Sequence, residues 1–347
     1  MQINWQLVID IAKAVIVFFG ILTCIPILVY AERKICAYIQ DRRGPNRVGP
    51  LGLLQPVADA IKSFFKEDYT PSHVDKVLFT LAPAMAFIAP ALVFAVIPFG
   101  HLMEIKGYKI LPQVFDMNIG ILFVLMIASL GGYGLILGGW SSNNKYSLLG
   151  GLRASAQMLS YEIAMGLAVI SIIMTAGSTR MADIVGVQTQ GLWGTCIPAW
   201  NIITQPIAFI VFLCTAFAET NRLPFDLAEG DSELIGGYHT EYSSMKFAMF
   251  FMGEYLAVLT MSALIVTLFL GGWYFPGITE VGNTSLLNGI LSIFVFGTKV
   301  GMLVFFFIWT RWTLPRFRYD QLMKLGWKIL LPLALFNIIL TAILGLR

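Results

Sequence analysis

Long apolar segments alternate with short polar segments along almost the whole chain. Eight runs of about 20 apolar residues are each long enough to cross roughly 30 Å of hydrocarbon as a helix. Helices are expected because an isolated strand cannot satisfy its backbone groups in lipid. The sequence therefore predicts an all-α fold, a polytopic transmembrane helical bundle forming one integral membrane domain over residues 1–347, with spans at about 7–30, 78–98, 117–139, 154–176, 201–219, 246–270, 287–310 and 327–345.

The segment between the first two predicted spans, residues 31–76, is too long and too regularly patterned for a simple connector. Its first part, ERKICAYIQDRRGPNRVGP, is rich in Arg, Gly and Pro, which predicts a fixed loop built from turns. The next part, LGLLQPVADAIKSFFKED, has one apolar face at helical spacing, which predicts an amphipathic helix in the membrane interface. This helix is either a lipid-facing anchor or a lid or floor for a molecule that enters from the membrane. Asp59 favours the second, because an acid does not help to bind anionic lipid.

Composition and charge agree with a membrane protein and predict its orientation. The chain is 57% hydrophobic and 12% charged, and its mean hydropathy is +0.77. Seventeen of the 23 Lys and Arg residues lie in, or within two residues of, the segments that follow the first, third, fifth and seventh spans, counting Lys246 and Lys328 at the start of the next spans. By the positive-inside rule these segments face the cytoplasm, so both termini are expected on the opposite, periplasmic side. The first span lacks a basic n-region and a cleavage site, so we expect it to be retained.

Acidic residues are concentrated in one of these cytoplasmic loops and recur inside the spans. The stretch FAETNRLPFDLAEGDSEL, residues 217–234, holds five carboxylates and one base. Glu162, Glu254 and Lys299 lie within predicted spans, where each charge facing lipid would cost roughly 2.5–3.5 kcal/mol. They are therefore expected to face the bundle interior, either as ion pairs that hold helices together or as a chain of protonatable carboxylates leading inward from the loop.

Several classes of site have no motif in the sequence. There is no GxGxxG, Walker A or HExxH pattern, so we expect no nucleotide site and no such zinc site. The four cysteines form no CxxC or other metal-spaced cluster, and the three histidines are scattered. We therefore predict no metal, no covalently bound cofactor and no nucleic-acid partner.

Three long loop motifs resemble those of one known family. They are ERKICAYIQDRRGPNRVGPLGLLQPVADAIK at 32–62, FAETNRLPFDLAEGDSELIGGYHTEYSSMKF at 217–247 and RWTLPRFRYDQLMKLGWK at 311–328. These motifs resemble the signatures of the H subunit of NADH-quinone oxidoreductase, of bacterial type. In that family the subunit lies in the membrane arm of respiratory complex I (NDH-1), where the hydrophilic arm joins it. The resemblance covers the whole chain.

This resemblance implies a share in a proton-pumping NADH:quinone oxidoreductase, with no complete active site and no catalytic residue in this chain alone. Quinone, for example ubiquinone, would enter from the bilayer as the substrate, while NADH, FMN and iron–sulfur clusters would belong to partner subunits. The implied quinone chamber and entrance consist of Arg33, Arg42, Arg43, Asp59, Glu219, Arg222, Asp226, Glu229, Asp231 and Glu233. The implied proton-coupling path consists of Glu162, Glu219, Glu254, Glu241, Arg153 and Lys299.

The resemblance also implies partners and a location, and one residue departs from it. The partners would be the hydrophilic quinone-site and cluster-bearing subunits, small membrane subunits, quinone and membrane lipid, in a bacterial inner membrane. The family pattern in the acidic loop is Glu-Gly-Glu-Ser-Glu, whereas this chain has Asp231 in the middle, which keeps the charge but shortens the side chain. Two alternatives remain open: the homologous subunit of a membrane-bound hydrogenase or ferredoxin-linked complex, and a stand-alone ion transporter.

Overall fold

The computed structural model describes residues 5–105, 108–191, 198–230 and 234–345. The described part is mostly helical, with one short hairpin, β1 (Met103–Ile105) and β2 (Tyr108–Ile110), in which Met103 pairs with Ile110. The helices are α1 (Trp5–Ile39), α2 (Gln55–Phe65), α3 (Lys76–Ala95), α4 (Gly120–Ser141), α5 (Lys145–Ala176), α6 (Met181–Gln188), α7 (Asn201–Thr204), α8 (Pro206–Glu219), α9 (Ser244–Phe269), α10 (Leu286–Thr313), α11 (Tyr319–Lys324) and α12 (Leu331–Gly345). A π-helical segment, Leu325–Leu330, joins α11 to α12.

The helical membrane fold is confirmed in its main features. Seven helices in the described residues are long and apolar enough to cross a membrane, counting residues 319–345 as one helix. The fifth predicted span is shorter than expected, because Pro206 begins a helix of only 14 residues. Gln205 separates it from α7 with a non-helical backbone (φ −135°, ψ 61°), so the apolar run from Asn201 is not one continuous helix.

Two helices extend beyond their apolar runs. The apolar pattern predicts an end of α1 near residue 30, but the helix continues to Ile39, so ERKICAYI is helical and the predicted turn-built loop begins only at Gln40. α5 begins at Lys145, nine residues before the predicted span. In both helices the added residues include charged side chains. Protein contacts or water can stabilise these charges at the end of a span, so the helix continues past the apolar run. Apolarity alone therefore underestimates the length of these helices.

The helix α9 occupies the centre of the bundle. In its most apolar window 72% of residues are buried, whereas the corresponding fractions are 17% for α1 and 22% for the segment 319–345. Small residues allow this central position, since a Cβ added at Gly253 would lie 2.7 Å from the carbonyl oxygen of Ala86 on α3. The helix that carries Glu254 is thus held against its neighbours at backbone contact distance.

The predicted amphipathic helix is present as α2, and hydrogen bonds fasten it to two helices of the bundle. The Ser244 hydroxyl at the start of α9 donates to the carbonyl oxygens of Ser63 (3.0 Å) and Lys66 (2.9 Å). The Tyr30 hydroxyl of α1 donates to the carbonyl oxygen of Leu51, just before α2 (2.9 Å). The face of α2 that carries Ile61, Phe64 and Phe65 remains exposed, as expected for a helix that contacts lipid.

GxxxG spacing occurs at Gly134/Gly138 in α4 and at Gly297/Gly301 in α10, and the two pairs of glycines have different surroundings. In α4, a Cβ on Gly134 would lie 2.8 Å from the Ala86 nitrogen and 2.9 Å from the Ala82 oxygen, so this glycine permits close packing on α3. In α10, Gly297 and Gly301 have no atom within 4 Å of such a Cβ in the described part of the chain. Tight packing within this chain is therefore supported for Gly134 and not for the pair in α10.

We predict that Gly134→Ala lowers the stability of the folded chain by about 1–3 kcal/mol, because the methyl group forces α3 and α4 apart. Gly297→Ala is the control, since both substitutions gain the same helix propensity but only the first meets a neighbour. Thermal unfolding of the single chain in detergent should show a lower midpoint for Gly134→Ala alone. Equal midpoints for the two variants would contradict the packing described here.

Candidate charged site

The loop that follows α8 places a buried arginine, Arg222, inside the bundle. Asn221 adopts a left-handed conformation (φ 49°), which Asn tolerates better than most residues, and it reverses the chain after Thr220. Gln157 of α5 holds this turn, because its Nε2 donates to the carbonyl oxygen of Ala218 (2.8 Å) and to Oδ1 of Asn221 (3.1 Å). The next residue, Arg222, is only 2% exposed.

Arg222 joins the first helix to the central helix. Its Nη1 donates to Oε2 of Glu32 on α1 (2.7 Å), and its Nε lies 2.6 Å from Oε1 of Glu254 on α9. Its guanidinium carbon also lies 4.3 Å from the centre of the Tyr255 ring. Burial lowers the pKa of Arg222, but Glu254 and Glu32 raise it by more, so its pKa is above the ordinary value and the group stays a cation.

A second arginine balances the charge around Arg222. Arg311 near the end of α10 donates from Nη1 to Oε1 of Glu32 (2.7 Å) and lies 3.8 Å from Oε1 of Glu254. The four residues Glu32, Arg222, Glu254 and Arg311, here called the Arg222 cluster, therefore carry two negative and two positive formal charges. Removing one member of such a buried group leaves an uncompensated charge, which is strongly destabilising.

A separate ion pair fixes the next part of the acidic loop. Nη2 of Arg316 donates to Oδ2 of Asp226 (2.9 Å), and the Phe317 amide donates to the carbonyl oxygen of Pro224 (3.1 Å). Burial raises the pKa of Asp226, and the opposing effects of Arg316 and Arg311 do not restore the ordinary value. This carboxyl group is therefore protonated more readily than an exposed aspartate.

A cavity bounded by α3, α4, α9 and the acidic loop brings three predicted acids together. Its empty volume is about 730 Å³, including the part open to solvent. Glu219, Glu229 and Glu254 line it, together with Tyr238 from the short 3₁₀ turn Gly237–His239. Burial raises the pKa of Tyr238 well above its ordinary value, and the nearby carboxylates raise it further, so its hydroxyl remains a donor. Small residues leave the space between these polar groups: Ala86, Gly131, Gly132, Gly253 and Ala257.

Glu162 lies beside this cavity on α5. Its side chain is half-buried, and it is close enough to Glu219 for the two carboxylates to repel each other. Neither side chain forms an ion pair within the described ranges. Two acids held near each other without a cation repel each other, and a neighbouring cation or ligand donor would relieve that repulsion.

The interfacial helix α2 contributes a charged contact to α1. Nη1 of Arg33 lies 2.6 Å from Oδ2 of Asp59, and both side chains are partly exposed. The pair neutralises the acid on α2 that the sequence singled out. Arg33 follows Glu32 directly, so the Arg222 cluster and the interfacial helix are attached to adjacent residues of α1.

Other predicted site residues lie elsewhere. Arg42 and Arg43 are exposed on the loop after α1 and do not line the cavity, whereas Glu241 accepts a hydrogen bond from Nδ2 of Asn144 (2.6 Å). Arg153 is half-buried on α5 and also lies outside the cavity wall. Asp231 and Glu233 fall outside the described residues.

Lys299 is far from the acids to which the predicted path would join it. Its ammonium group donates to the carbonyl oxygens of Leu270, Gly272 (3.1 Å) and Tyr274 (2.7 Å) and lies 4.6 Å from the Trp200 ring centre. These contacts are at the opposite end of α9 from Glu254, about 24 Å away at 1.5 Å per helical residue. Lys299 satisfies the carbonyl groups that end α9, and the structure does not bring it into the charged site.

Five residues of the site are absent from the sequence predictions: Glu32, Arg311, Arg316, Tyr238 and Tyr255. The apolar run ends at residue 30, which predicts a loop at Glu32. Arg311 and Arg316 enter those predictions only as bases of a loop that is expected to face the cytoplasm. A signal was available for three of them, since Glu32 opens the first loop motif and the two arginines lie in the third.

Comparison with known proteins finds matches over nearly the whole chain. The family model described as NADH dehydrogenase matches residues 12–342. The relative from Geobacter metallireducens, H subunit 1 of an NADH-quinone oxidoreductase, is 51% identical over 344 residues, which is 99% of this chain and 98% of the relative. The protein of the same description from Cytophaga hutchinsonii is 51% identical over 312 residues, covering 90% of this chain and 89% of the relative.

The chain belongs to the family of NADH-quinone oxidoreductase H subunits. It is accordingly a subunit of an NADH:quinone oxidoreductase and a multi-pass membrane protein. The resemblance of the three loop motifs is thus confirmed. Each of those motifs supplies one member of the Arg222 cluster, namely Glu32, Arg222 and Arg311.

We predict that Glu32→Gln destabilises this oxidoreductase subunit by about 3–5 kcal/mol, because Arg222 and Arg311 then share one carboxylate in a buried site. Asp10→Asn is the control, since Asp10 and Lys13 form an isolated pair of which Asp10 is half exposed. The measurement is thermal unfolding of the chain in detergent.

The double variant Glu32→Gln/Arg311→Gln tests the same interaction. It removes one charge of each sign, so we expect it to be more stable than Glu32→Gln alone. If the losses of stability from the two single substitutions simply add in the double variant, a shared network is contradicted, because additivity indicates independent sites.

Proposed function

We propose that this chain forms the quinone entrance and much of the quinone chamber of a proton-pumping complex, and that its carboxylates couple quinone reduction to proton movement. The observation that carries the proposal is the cavity lined by Glu219, Glu229 and Glu254 beside the Arg222 cluster. Glu219 forms no ion pair within the described ranges, and an unpaired acid in a partly enclosed space has a high energetic cost unless a proton or a ligand compensates its charge.

We further propose that the chain crosses a bacterial inner membrane eight times, with α7 and α8 together forming the fifth crossing. An even number of crossings puts both termini on one side. The bias of Lys and Arg assigns that side to the periplasm and assigns the acidic loop to the cytoplasm. The hydrophilic subunits that carry FMN and iron–sulfur clusters would then dock on the side where the Arg222 cluster lies.

The entrance for quinone would lie between α1, α2 and α9. Quinone is apolar and dissolves in the bilayer, so it reaches the chain from the hydrocarbon. The exposed apolar face of α2 would lie at that boundary, and the Arg33–Asp59 pair connects α2 to α1. To move as a lid or floor, α2 would have to break this pair, which contributes only about 0–1 kcal/mol, together with the hydrogen bonds from Ser244 and Tyr30.

The reaction explains why acids are needed next to quinone. The reduction of one quinone to quinol consumes two electrons, which come from NADH through the partner subunits, and two protons. The change in charge arises beside the acidic loop. The Coulomb energy between two carboxylates about 4 Å apart is of order 4 kcal/mol at an effective dielectric constant of 20. A change of one charge in the chamber is therefore enough to alter the protonation of a neighbouring acid.

The order of the acids suggests a direction for the protons. Glu229 and Asp226 belong to the loop, Glu219 ends α8, and Glu162 and Glu254 lie on spanning helices. We propose that protonation passes from Glu219 to Glu162 and Glu254. Because Arg222 and Arg311 contact Glu254, its proton affinity would change whenever those ion pairs rearrange.

Replacing the cavity acids should uncouple the assembled enzyme. In Glu219→Gln, Glu162→Gln and Glu254→Gln, the amide keeps the size of the side chain but does not carry a proton. We expect quinone reductase activity, proton pumping or both to fall at least tenfold, measured in proteoliposomes of the assembled complex. Positioned proton transfer typically contributes a factor of about 10² to 10⁴ to a rate.

Glu104→Gln is the matched control for these variants. Glu104 is exposed on β1, far from the acidic loop in the fold, and the same substitution there should leave both rates unchanged. Fully coupled, wild-type rates in an assembled Glu219→Gln or Glu254→Gln complex would contradict the proposed proton path.

Labelling with a photoreactive quinone analogue tests the entrance separately. We expect labelled peptides within residues 32–68 and 217–245, because these segments hold α2, the end of α1 and the acidic loop. Labelling confined to residues 99–116, which include the hairpin on the opposite side, would contradict the proposed entrance. Excess unlabelled quinone should abolish specific labelling.

A further inference from the structure

A second cavity, separate from the one lined by acids, lies on the loop that follows α1. Lys34, Tyr38, Arg42, Arg43 and Asn46 line it, and its empty volume is about 440 Å³, including open solvent. No acidic residue is among the described residues that line it. Two arginines and a lysine therefore converge on one space, here called the basic cavity, whose lining carries no compensating negative charge.

The positive side chains of the basic cavity are held by local contacts that do not neutralise them. Nε of Arg42 donates to Oε1 of Gln40 (2.7 Å), and its Nη2 lies 3.3 Å from the buried thiol of Cys36. The Lys34 ammonium lies 5.7 Å from the Tyr30 ring centre. Arg43 forms no hydrogen bond or ion pair within the described ranges, and it is exposed. The cavity is thus preformed on one side by Arg42 and open for a ligand on the other.

The charge of this cavity does not suit quinone. Oxidised quinone and quinol are both neutral, and neither requires three cations. An anion with several acceptor oxygens suits it better, because the planar guanidinium group binds phosphate through two parallel hydrogen bonds and Lys binds it as a point charge. Arg42 and Arg43 therefore fit a phosphate ligand better than the quinone chamber to which sequence resemblance assigned them.

The height of the basic cavity relative to α2 indicates where the phosphate comes from. Arg33 contacts Asp59 in the middle of α2, and an amphipathic helix of this kind lies at the boundary of headgroups and acyl chains. Lys34 is the next residue of α1, and Tyr38 lies about 6 Å further along the helix axis. The cavity is therefore at the level of lipid phosphates, and Tyr38, which is 81% exposed, offers the aromatic ring typical of that level.

We propose that the basic cavity at Lys34, Tyr38, Arg42, Arg43 and Asn46 binds the phosphate group of an anionic phospholipid headgroup. The acyl chains of the same lipid would extend toward the exposed apolar face of α2, where Phe65 is 88% exposed. Basic cavities at the cytoplasmic end of membrane helices are suited to such headgroups. The bound lipid would stabilise the loop between α1 and α2. This inference rests on α2 lying in the interface and not on the proposed path of protons.

The test uses the assembled complex and a photoreactive phosphatidylglycerol, with labelling of residues 34–46 as the readout. Unlabelled short-chain phosphatidylglycerol should compete with the label. The lipid concentration that halves the labelling should rise about fivefold in Arg43→Gln and about 25-fold in Arg42→Gln/Arg43→Gln, since each base near an anionic lipid contributes about a factor of five to the affinity. Arg47→Gln is the matched control, because Arg47 is an exposed base of the same loop that does not line the cavity. Arg43→Gln removes no described contact, so it should assemble normally.

Two further competitors and a cross-linking experiment distinguish a lipid headgroup from free phosphate and from a protein partner. Phosphatidylcholine, which has no net charge, should compete at least tenfold more weakly than phosphatidylglycerol, and inorganic phosphate should compete weakly because it lacks acyl chains. Competition by inorganic phosphate as strong as that by phosphatidylglycerol would overturn the lipid assignment. If the concentration of phosphatidylglycerol that halves the labelling is unchanged in both variants, the proposed site is wrong. Cross-linking of residues 42 and 43 to acidic residues of a neighbouring subunit, with no lipid label, would overturn the proposal in favour of a protein interface.

Discussion

Arg222 is a buried cation that joins the acidic loop to the first and the central helices of the bundle. Its contacts with Glu32 and Glu254 connect segments that are 190 and 32 residues away in the chain. A buried guanidinium group cannot tolerate the loss of its carboxylates, so α1, α9 and the loop must keep these positions together. The rest of this end of the bundle is arranged around this constraint: Arg311 balances the charge, and Asp226 and Arg316 fasten the next turn of the loop.

This constraint determines where the other acids lie. Since Arg222 holds the loop against α9, Glu219 and Glu229 reach the same cavity as Glu254. The Arg222 cluster has no net formal charge, so it does not neutralise Glu219 or the nearby Glu162. Glu219 and Glu162 therefore repel each other without a compensating cation in the described part of the chain, and a change in a neighbouring charge acts directly on that repulsion. A rigid ion-pair network thus lies directly beside titratable acids, which is the arrangement that coupling of charge to protons requires.

Much of this fold follows from patterns that act locally. Apolar runs predicted the long helices, and helical spacing predicted α2, because hydrocarbon thickness and amphipathicity constrain each segment by itself. The energetic cost of charge in lipid singled out Glu162 and Glu254. Such local patterns do not predict which charged residues pair with each other. Nothing in the sequence near Glu32 indicates that its partners are Arg222 and Arg311, and Lys299, chosen by the same energetic argument, satisfies backbone carbonyl groups at the other end of α9.

The central claim is that a carboxyl group of this cavity changes its protonation when quinone is reduced. The most direct measurement is the infrared difference spectrum between the oxidised and reduced assembled complex, in the region of protonated carboxyl groups. The account predicts a signal in the wild type that disappears in Glu219→Gln and persists in Glu104→Gln. A signal of the same size in Glu219→Gln, Glu162→Gln and Glu254→Gln would contradict the account, because the titrating carboxyl group would then lie elsewhere in the complex.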